Sequence, residues 1–268
     1  MTLRVAAAQA ESTYGEVEAN VKAAVDLVER ATRQGARVVV LPELFLTGYA
    51  AELWSADACL DDPEDDRLAP LADAARATKT VVVAGAALGA PGRATISLLA
   101  FDERGGISRV YDKQHLTDEE KPFFTPGAGG ASIVLDGWSL GLGVCFDGCF
   151  PQHAAAAAAD GARAYLCPSA YYAGSEHRRD LYYAARALDN GIFVVFAGLT
   201  GRCGARDFNG GSAVYDPEGR PLARVGTESP ALVVADLDAA EVDRVRAMNP
   251  ILAGRRDLGE RTRWVLPA

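Results

Sequence analysis

At 268 residues and 49% hydrophobic composition, the chain can bury a full core as one large α/β domain or as two small ones. Its formal net charge of −9 argues against non-specific nucleic-acid binding, which needs clustered Lys and Arg, and leans weakly toward cationic ligands. No apolar run reaches the roughly 18–20 residues of a membrane span.

The N-terminal "LRVAAAQ" predicts a strand, and it lacks the basic segment and long apolar run of a signal peptide. Val17, Val21, Ala24, Val25, Val28 and Ala31 recur at helical spacing up to Gly35, and "ARVVVLPE" then predicts a second, buried strand. Past the acidic run "DDPEDD" (61–66), a helix is expected around 66–78, followed by the strand "TVVVAGAAL". "TISLLAFDERGGISRVYD" predicts a hairpin with a glycine-rich turn, and after a loop over 114–131 "ASIVLDGWSLGLGVC" predicts a strand pair. Two helix-then-strand units follow, "PQHAAAAAADGARAYLCPS" and "HRRDLYYAARALDNGIFVVFAG". Next come a hairpin turning at Asp216–Gly219, the strand "PALVVADLD", the helix "AAEVDRVRAM" and an irregular tail.

No Pro/Ser-rich linker divides the chain, so residues 1–268 read as a single α/β domain. Strands outnumber those of a simple doubly wound sheet and hairpins are interspersed, which favours two packed sheets flanked by helices. The hexa-alanine run 154–159 points to tight backbone packing within a helix.

Cys59, Cys145, Cys149, Cys167 and Cys203 form an odd set without a paired framework, as expected of reduced thiols in a cytoplasmic protein. Cys145 and Cys149 stand four residues apart, but no second Cys or His pair at matching spacing supports a metal site. Three reactive side chains fall at predicted strand ends, where α/β proteins place their sites: Glu43 after "VVVLP", Lys113 after "SRVYD" and Cys145 after "LGLGV".

A cysteine nucleophile needs a base and an oxyanion site. The histidines are His115, His153 and His177, and the sequence identifies no carboxylate partner for the last two. His115 lies two residues past Lys113 and would face the other side of an extended segment. A partly desolvated glutamate can replace histidine as base, and a lysine can favour the thiolate and the oxyanion. The backbone N–H of Phe146 is a natural second donor. Glu43, Lys113 and Cys145 thus make a complete set for acyl transfer with no metal or cofactor. Taken singly, each also reads as a cap, a surface charge or a small core thiol, so the residues alone leave this as one reading among several.

The local contexts narrow the choice. "LPELFLTGY" (41–49), "YDKQHL" (111–116), "EEKPFFTPG" (119–127), "GLGVCFDGCFP" (141–151), "ARALDNGIFVV" (185–195), "NGGSAVYDPEGRPLA" (209–223) and "RRDLGE" (255–260) resemble, in this order, the nitrilase or carbon–nitrogen hydrolase superfamily. Gln152, where members often carry glutamate, departs from the pattern. The resemblance implies a four-layer α-β-β-α sandwich, dimerised or further assembled with copies of itself. It also implies Cys145 as nucleophile, Glu43 as general base, Lys113 at the oxyanion, and Glu120 orienting the lysine and the substrate amide.

A chain of this length resembles the amidase and carbamoylase branches more than the longer true nitrilases. Hydrolysis of a small linear amide through a Cys145 thioester is therefore expected, with N-carbamoyl amine hydrolysis as the alternative. An inactive scaffold is disfavoured because Glu43, Lys113 and Cys145 are all present. Tyr49, Trp54, Tyr171 and Tyr172 are candidate walls of the substrate pocket, acidic residues in 57–66 are a candidate attractor for an amino or guanidino tail, and Cys149 reads as a bystander thiol.

Overall fold

The computed structural model describes residues 1–50, 54, 59–90, 93–257 and 259–264, and within them the valine- and alanine-rich runs form two six-stranded sheets. In chain order the first half contributes β1 (Thr2–Gln9), α1 (Val17–Arg33), β2 (Val38–Val40), α2 (Ala69–Thr78), β3 (Val81–Leu88), β4 (Thr95–Phe101) and β5 (Ile107–Asp112). Then follow β6 (Ser132–Leu135), β7 (Trp138–Leu142), α3 (Pro151–Ala159), β8 (Ala164–Ser169), α4 (Glu176–Asn190) and β9 (Phe193–Gly198). The last elements are β10 (Thr200–Cys203), β11 (Arg206–Asn209), β12 (Ala213–Tyr215), β13 (Pro221–Arg224), β14 (Ala231–Asp238) and α5 (Ala239–Met248).

The first sheet runs β14-β1-β2-β3-β4-β5 and the second β13-β12-β9-β8-β7-β6. Each has a parallel triplet at its heart, β1-β2-β3 in one and β7-β8-β9 in the other, flanked by antiparallel strands. Parallel strands covered on both faces need apolar residues at every position, which is why "VVV" and "FVVFAG" are buried without interruption. The alternation is still there, but both faces count as interior. Leu166 and Val195 point into the core shared by the sheets, while Tyr165, Cys167, Val194 and Phe196 face the helices on the outside.

Helices α1 and α2 cover the first sheet, α3 and α4 the second, which completes the α-β-β-α layering. Helix α1 buries Val17, Val21, Ala24, Leu27, Val28 and Ala31, the stripe its spacing predicts with Leu27 added and Val25 only partly covered. Helix α3 explains the alanine run. A side chain at Gly141 on β7 would meet the Ala157 Cβ at 2.7 Å, so helix and strand approach more closely than larger residues allow. Turning residues Asp216–Gly219 join β12 to β13, as expected, with Asp216 Oδ1 accepting the N–H groups of Glu218 and Arg220.

One hairpin was not foreseen: β10 and β11, with "TGRCGARDFN" lacking apolar alternation. Its base is held by Arg179 of α4, whose guanidinium donates to the Asn209 carbonyl and side chain and to the Gly210 carbonyl. Such an anchor is invisible to periodicity.

The strand ends that matter converge where the sheets meet. The chain leaving β2 turns over β3, and the turn lies so close that a Cβ at Gly85 would sit 2.4 Å from the Leu44 nitrogen and 2.9 Å from the Glu43 Cα. Gly85→Ala is therefore expected to lower stability by about 1–3 kcal/mol, the usual cost of overpacking against an unyielding neighbour. A urea midpoint unchanged from the parent chain would contradict the close approach.

Candidate active site

Glu43 follows β2 in a turn closed by the Leu46 N–H on the Gly85 carbonyl (3.0 Å), with Leu44 in the left-handed region at φ 50°. Lys113 leaves β5, tied back by its N–H to the Ile96 carbonyl at 2.8 Å. Glu120 lies in a turn where its Oε2 accepts the Thr117 N–H at 2.8 Å. These three side chains meet although they are far apart in the chain. Lys113 Nζ is 2.7 Å from Glu43 Oε1 and 2.6 Å from Glu120 Oε1, and all three side chains are fully buried. Tyr49 joins them, its hydroxyl donating to Glu120 Oε1 at 2.9 Å.

Cys145 opens a short 3-10 turn, Cys145–Cys149, directly after β7. It carries φ 45°, uncommon for a residue with a Cβ, and its carbonyl accepts the Tyr183 hydroxyl of α4 at 3.2 Å. Its sulfur is 3.7 Å from the Ala170 carbonyl at the end of β8. Phe146 is the second residue of this turn, ahead of the first closing bond, which the Asp147 N–H makes to the Val144 carbonyl at 2.9 Å. Its N–H is thus among those that a helix start leaves without an internal acceptor.

The electrostatics follow from one ammonium facing two carboxylates in a dry interior. Burial raises Glu43 to about 7, against the opposing pull of Lys113, with Glu120 adding to the rise. Burial alone would depress Lys113, but Glu120 and Glu43 outweigh it and hold the ammonium well above its ordinary range. The Cys145 thiol is pushed up by burial and by Glu43, so at rest it keeps its proton. Glu43 Oε2 is buried and accepts no hydrogen bond among the described residues, and the nearby Cys145 thiol favours the ionised carboxylate. The arrangement suits a thiol that ionises only as its proton passes to Glu43.

Cys145 and Phe146 border a cavity of about 440 Å³ that Tyr49, Tyr171, Tyr172 and Cys149 also line. Trp54 stands one ring further out, packed edge-on against Tyr49 (5.2 Å between centroids), Phe123 and Phe124. The acidic stretch 61–66 is not part of the lining, and residues 57–58 lie outside the described residues. Cys149 faces the same space, with its sulfur 3.3 Å from the Tyr171 hydroxyl.

Two histidines have a carboxylate partner that the sequence did not disclose, Asp147. Its Oδ1 is 2.8 Å from His115 Nδ1 and 3.9 Å from His153 Nε2, while His177 is exposed on α4. The only available signal was an aspartate two residues past Cys145 in an otherwise apolar turn. These three residues could in principle offer ligand atoms to a metal, lying within 4.8 Å of one another. Asp147, however, already accepts four hydrogen bonds, and both ring nitrogens of His153 already face tyrosine hydroxyls. A cation would have to break that network.

Comparison with known proteins agrees with this geometry. The carbon-nitrogen hydrolase family model matches residues 4–247. The chain is 32% identical over 260 residues to a nitrilase of Pyrococcus abyssi, covering 95% of this chain and 98% of that protein. It is 29% identical to the 2-oxoglutaramate amidase of Bacillus subtilis, covering 96% of this chain and 100% of that one. Among solved structures, a double mutant of the amidase from Nesterenkonia sp. AN1 in complex with acrylamide is similar at a TM-score of 0.83 and 30% identity, over 95% of this chain and 94% of that chain. Another mutant of that amidase shows covalent addition of the acetamide moiety of fluoroacetamide at the active site cysteine; it is similar at a TM-score of 0.82 and 31% identity, over the same 95% and 94%.

If Glu43 deprotonates Cys145, alkylation of Cys145 by iodoacetamide must speed up as Glu43 ionises, rising with pH through about 7. Glu43→Gln should flatten that rise and slow the reaction at neutral pH. Peptide mass spectrometry of the Cys145 adduct against time reads both, and a Glu43→Gln profile like the parent's would remove Glu43 from the role.

Proposed function

Because the chain belongs to the carbon–nitrogen hydrolase family, we propose that it hydrolyses the C–N bond of a small linear amide, R–CO–NH2 + H2O giving R–COOH + NH3, through a Cys145 thioester. The observation that carries the reading is the buried Lys113 ammonium between Glu43 and Glu120, beside a protonated Cys145 at the wall of a 440 Å³ cavity.

Glu43 takes the thiol proton as Sγ attacks the carbonyl carbon, and the new oxyanion is met by Lys113 and the Phe146 N–H. Removing one such donor from an acyl-transfer site typically costs 10²–10³-fold in rate, so these two contacts supply a large part of the acceleration. As the tetrahedral species collapses, the C–N bond breaks and Glu43 returns the proton to the departing ammonia. Glu43 then draws a proton from water, the hydroxide adds to the thioester, and collapse releases the carboxylic acid while Glu43 returns its proton to the departing Cys145 sulfur. Glu120 accepts from Lys113 and Tyr49, which fixes the ammonium, and we assign it the further role of orienting the substrate amide. With Glu43 near 7, its ionised fraction at neutral pH is large enough to accept a proton and its acid form strong enough to give one back.

The mouth of the cavity argues against a cationic tail. Asp118 is engaged by Lys121 at 2.6 Å, and Glu119 by the Tyr172 hydroxyl at 2.8 Å and Arg206 at 3.4 Å. Arg178 lines the same mouth, and among the described residues its side chain forms no ion pair or hydrogen bond. An ω-carboxylated amide should therefore show a kcat/KM at least equal to that of its ω-amino counterpart; a clear advantage for the amino compound would reverse the reading.

Ammonia release from a panel of linear amides, N-carbamoyl amines and nitriles tests the activity. Turnover is expected on amides, none with Cys145→Ala, near-complete loss with Cys145→Ser, and most activity kept by Cys149→Ser. Preference for the carbamoyl amines or nitriles would move the chain to those branches. No release from any compound, with no acyl adduct on Cys145, would make it an inactive homologue.

A further inference from the structure

Among the described residues, Asp147 is the carboxylate fully excluded from solvent that the proposed chemistry leaves unused, and no described lysine or arginine pairs with it. Instead its Oδ1 accepts the His115 N–H at 2.9 Å and His115 Nδ1 at 2.8 Å, and its Oδ2 accepts the Val144 N–H at 3.0 Å and the Tyr111 hydroxyl at 2.7 Å. The donors come from two places only. Val144 immediately precedes Cys145, while Tyr111 and His115 stand two residues to either side of Lys113.

The proton positions are then determined. With Asp147 as a carboxylate, Tyr111 must spend its proton on Oδ2, so His153 Nε2 donates to the Tyr111 oxygen at 2.8 Å. A neutral His153 then accepts the Tyr165 hydroxyl at Nδ1, 2.9 Å away, and burial lowers the His153 pKa in the direction that keeps it neutral. His115 donates from Nδ1 and is held flat against Phe150, 3.9 Å between ring centroids. Every member of the chain has its partner, running from β8 through α3 to β5 and the Cys145 turn.

We propose that Asp147 is a positioning residue that holds Lys113 in register with the Cys145 thiol, acting through Tyr111, His115 and the Val144 N–H. Two features make a carboxylate necessary for this task. Four donors converge on two oxygens, a number an amide side chain cannot accept because half of its head group is itself a donor. Cys145 is also held in the left-handed region at φ 45°, a conformation that persists only where its surroundings over-determine it. Lys113 reaches Glu43 along a buried side chain, so a small shift at its backbone is transmitted to Nζ.

The proposal rests on the Glu43–Lys113–Cys145 reading but not on which amide is turned over, and iodoacetamide alkylation of Cys145 separates the two. Lys113 lowers Glu43, whereas burial and Glu120 raise it. A lysine released from its register therefore lets the pH midpoint of alkylation climb above about 7. Asp147→Asn is expected to raise that midpoint and to lower kcat, per alkylatable Cys145, on the order of 10²-fold with a smaller change in KM, the loss typical of a displaced reacting group. Tyr111→Phe, which keeps nearly the same volume and three of the four donors, should move the midpoint the same way with a smaller loss of kcat.

A residue that only holds the fold together would reduce the folded fraction and the thermal midpoint, and leave both readings per alkylatable cysteine where they were. That result in folded Asp147→Asn, or in Tyr111→Phe should the first variant not fold, overturns the proposal. A shifted midpoint in a protein that hydrolyses none of the panel upholds the positioning role while removing the amide assignment.

Discussion

A single ammonium buried between two carboxylates organises this molecule. Removing Lys113, Glu43 and Glu120 from water costs several kcal/mol for each ion, and only close contacts at 2.6–2.7 Å offset it. One positive charge cannot balance two negative ones, so the cluster retains affinity for a further proton, and Glu43, which also faces the thiol, is where it goes. The proposed chemistry would draw on this imbalance. A neutral buried pair would have no reason to accept a proton from a thiol.

That imbalance has to be held by the fold. Glu43 and Lys113 come from the first sheet and Cys145 from the second, so the sandwich must close before they meet. Closure places two residues with side chains, Leu44 and Cys145, in left-handed backbone conformations beside the charge cluster. Each costs on the order of 1–3 kcal/mol. The surrounding contacts are correspondingly dense: Gly85 clears space for the Glu43 turn, Tyr183 binds the Cys145 carbonyl, and Asp147 gathers backbone from both sides of the site. Strain and its restraint occur in the same few residues.

The neighbouring cavity is less specialised than its floor. Its acidic residues are engaged by Lys121, Arg206 and Tyr172, and its aromatic walls touch one another edge-on, as Tyr49 does with Tyr172 and Phe208. Tyr49 is an exception, since it both walls the cavity and donates to Glu120. A tyrosine in an irregular loop gives no sign in sequence that its hydroxyl completes a carboxylate's hydrogen bonding. Trp54, the other candidate wall residue of the first half, packs edge-on against Tyr49.

The sequence by itself determined most of the strands, though not the β10–β11 hairpin, and the candidate reagents. Runs such as "VVVLPE", "RVYDK" and "GLGVC" declare a buried strand and then a reactive side chain, because strand burial and strand ends are local properties of pattern. It also announced close helix–strand packing at the alanine run and the turn at Asp216–Gly219. What only the tertiary structure decided was which charges meet, which residues line the cavity, and which carboxylate serves the histidines. Glu43 and Lys113 are 70 positions apart, and His115 and Asp147 are 32 apart. Their separations in space, and the burial that raises Glu43 and protects the Cys145 proton, arise from packing two sheets together. No periodicity along the chain records a distance of that kind, and pKa depends on that distance and on the exclusion of water.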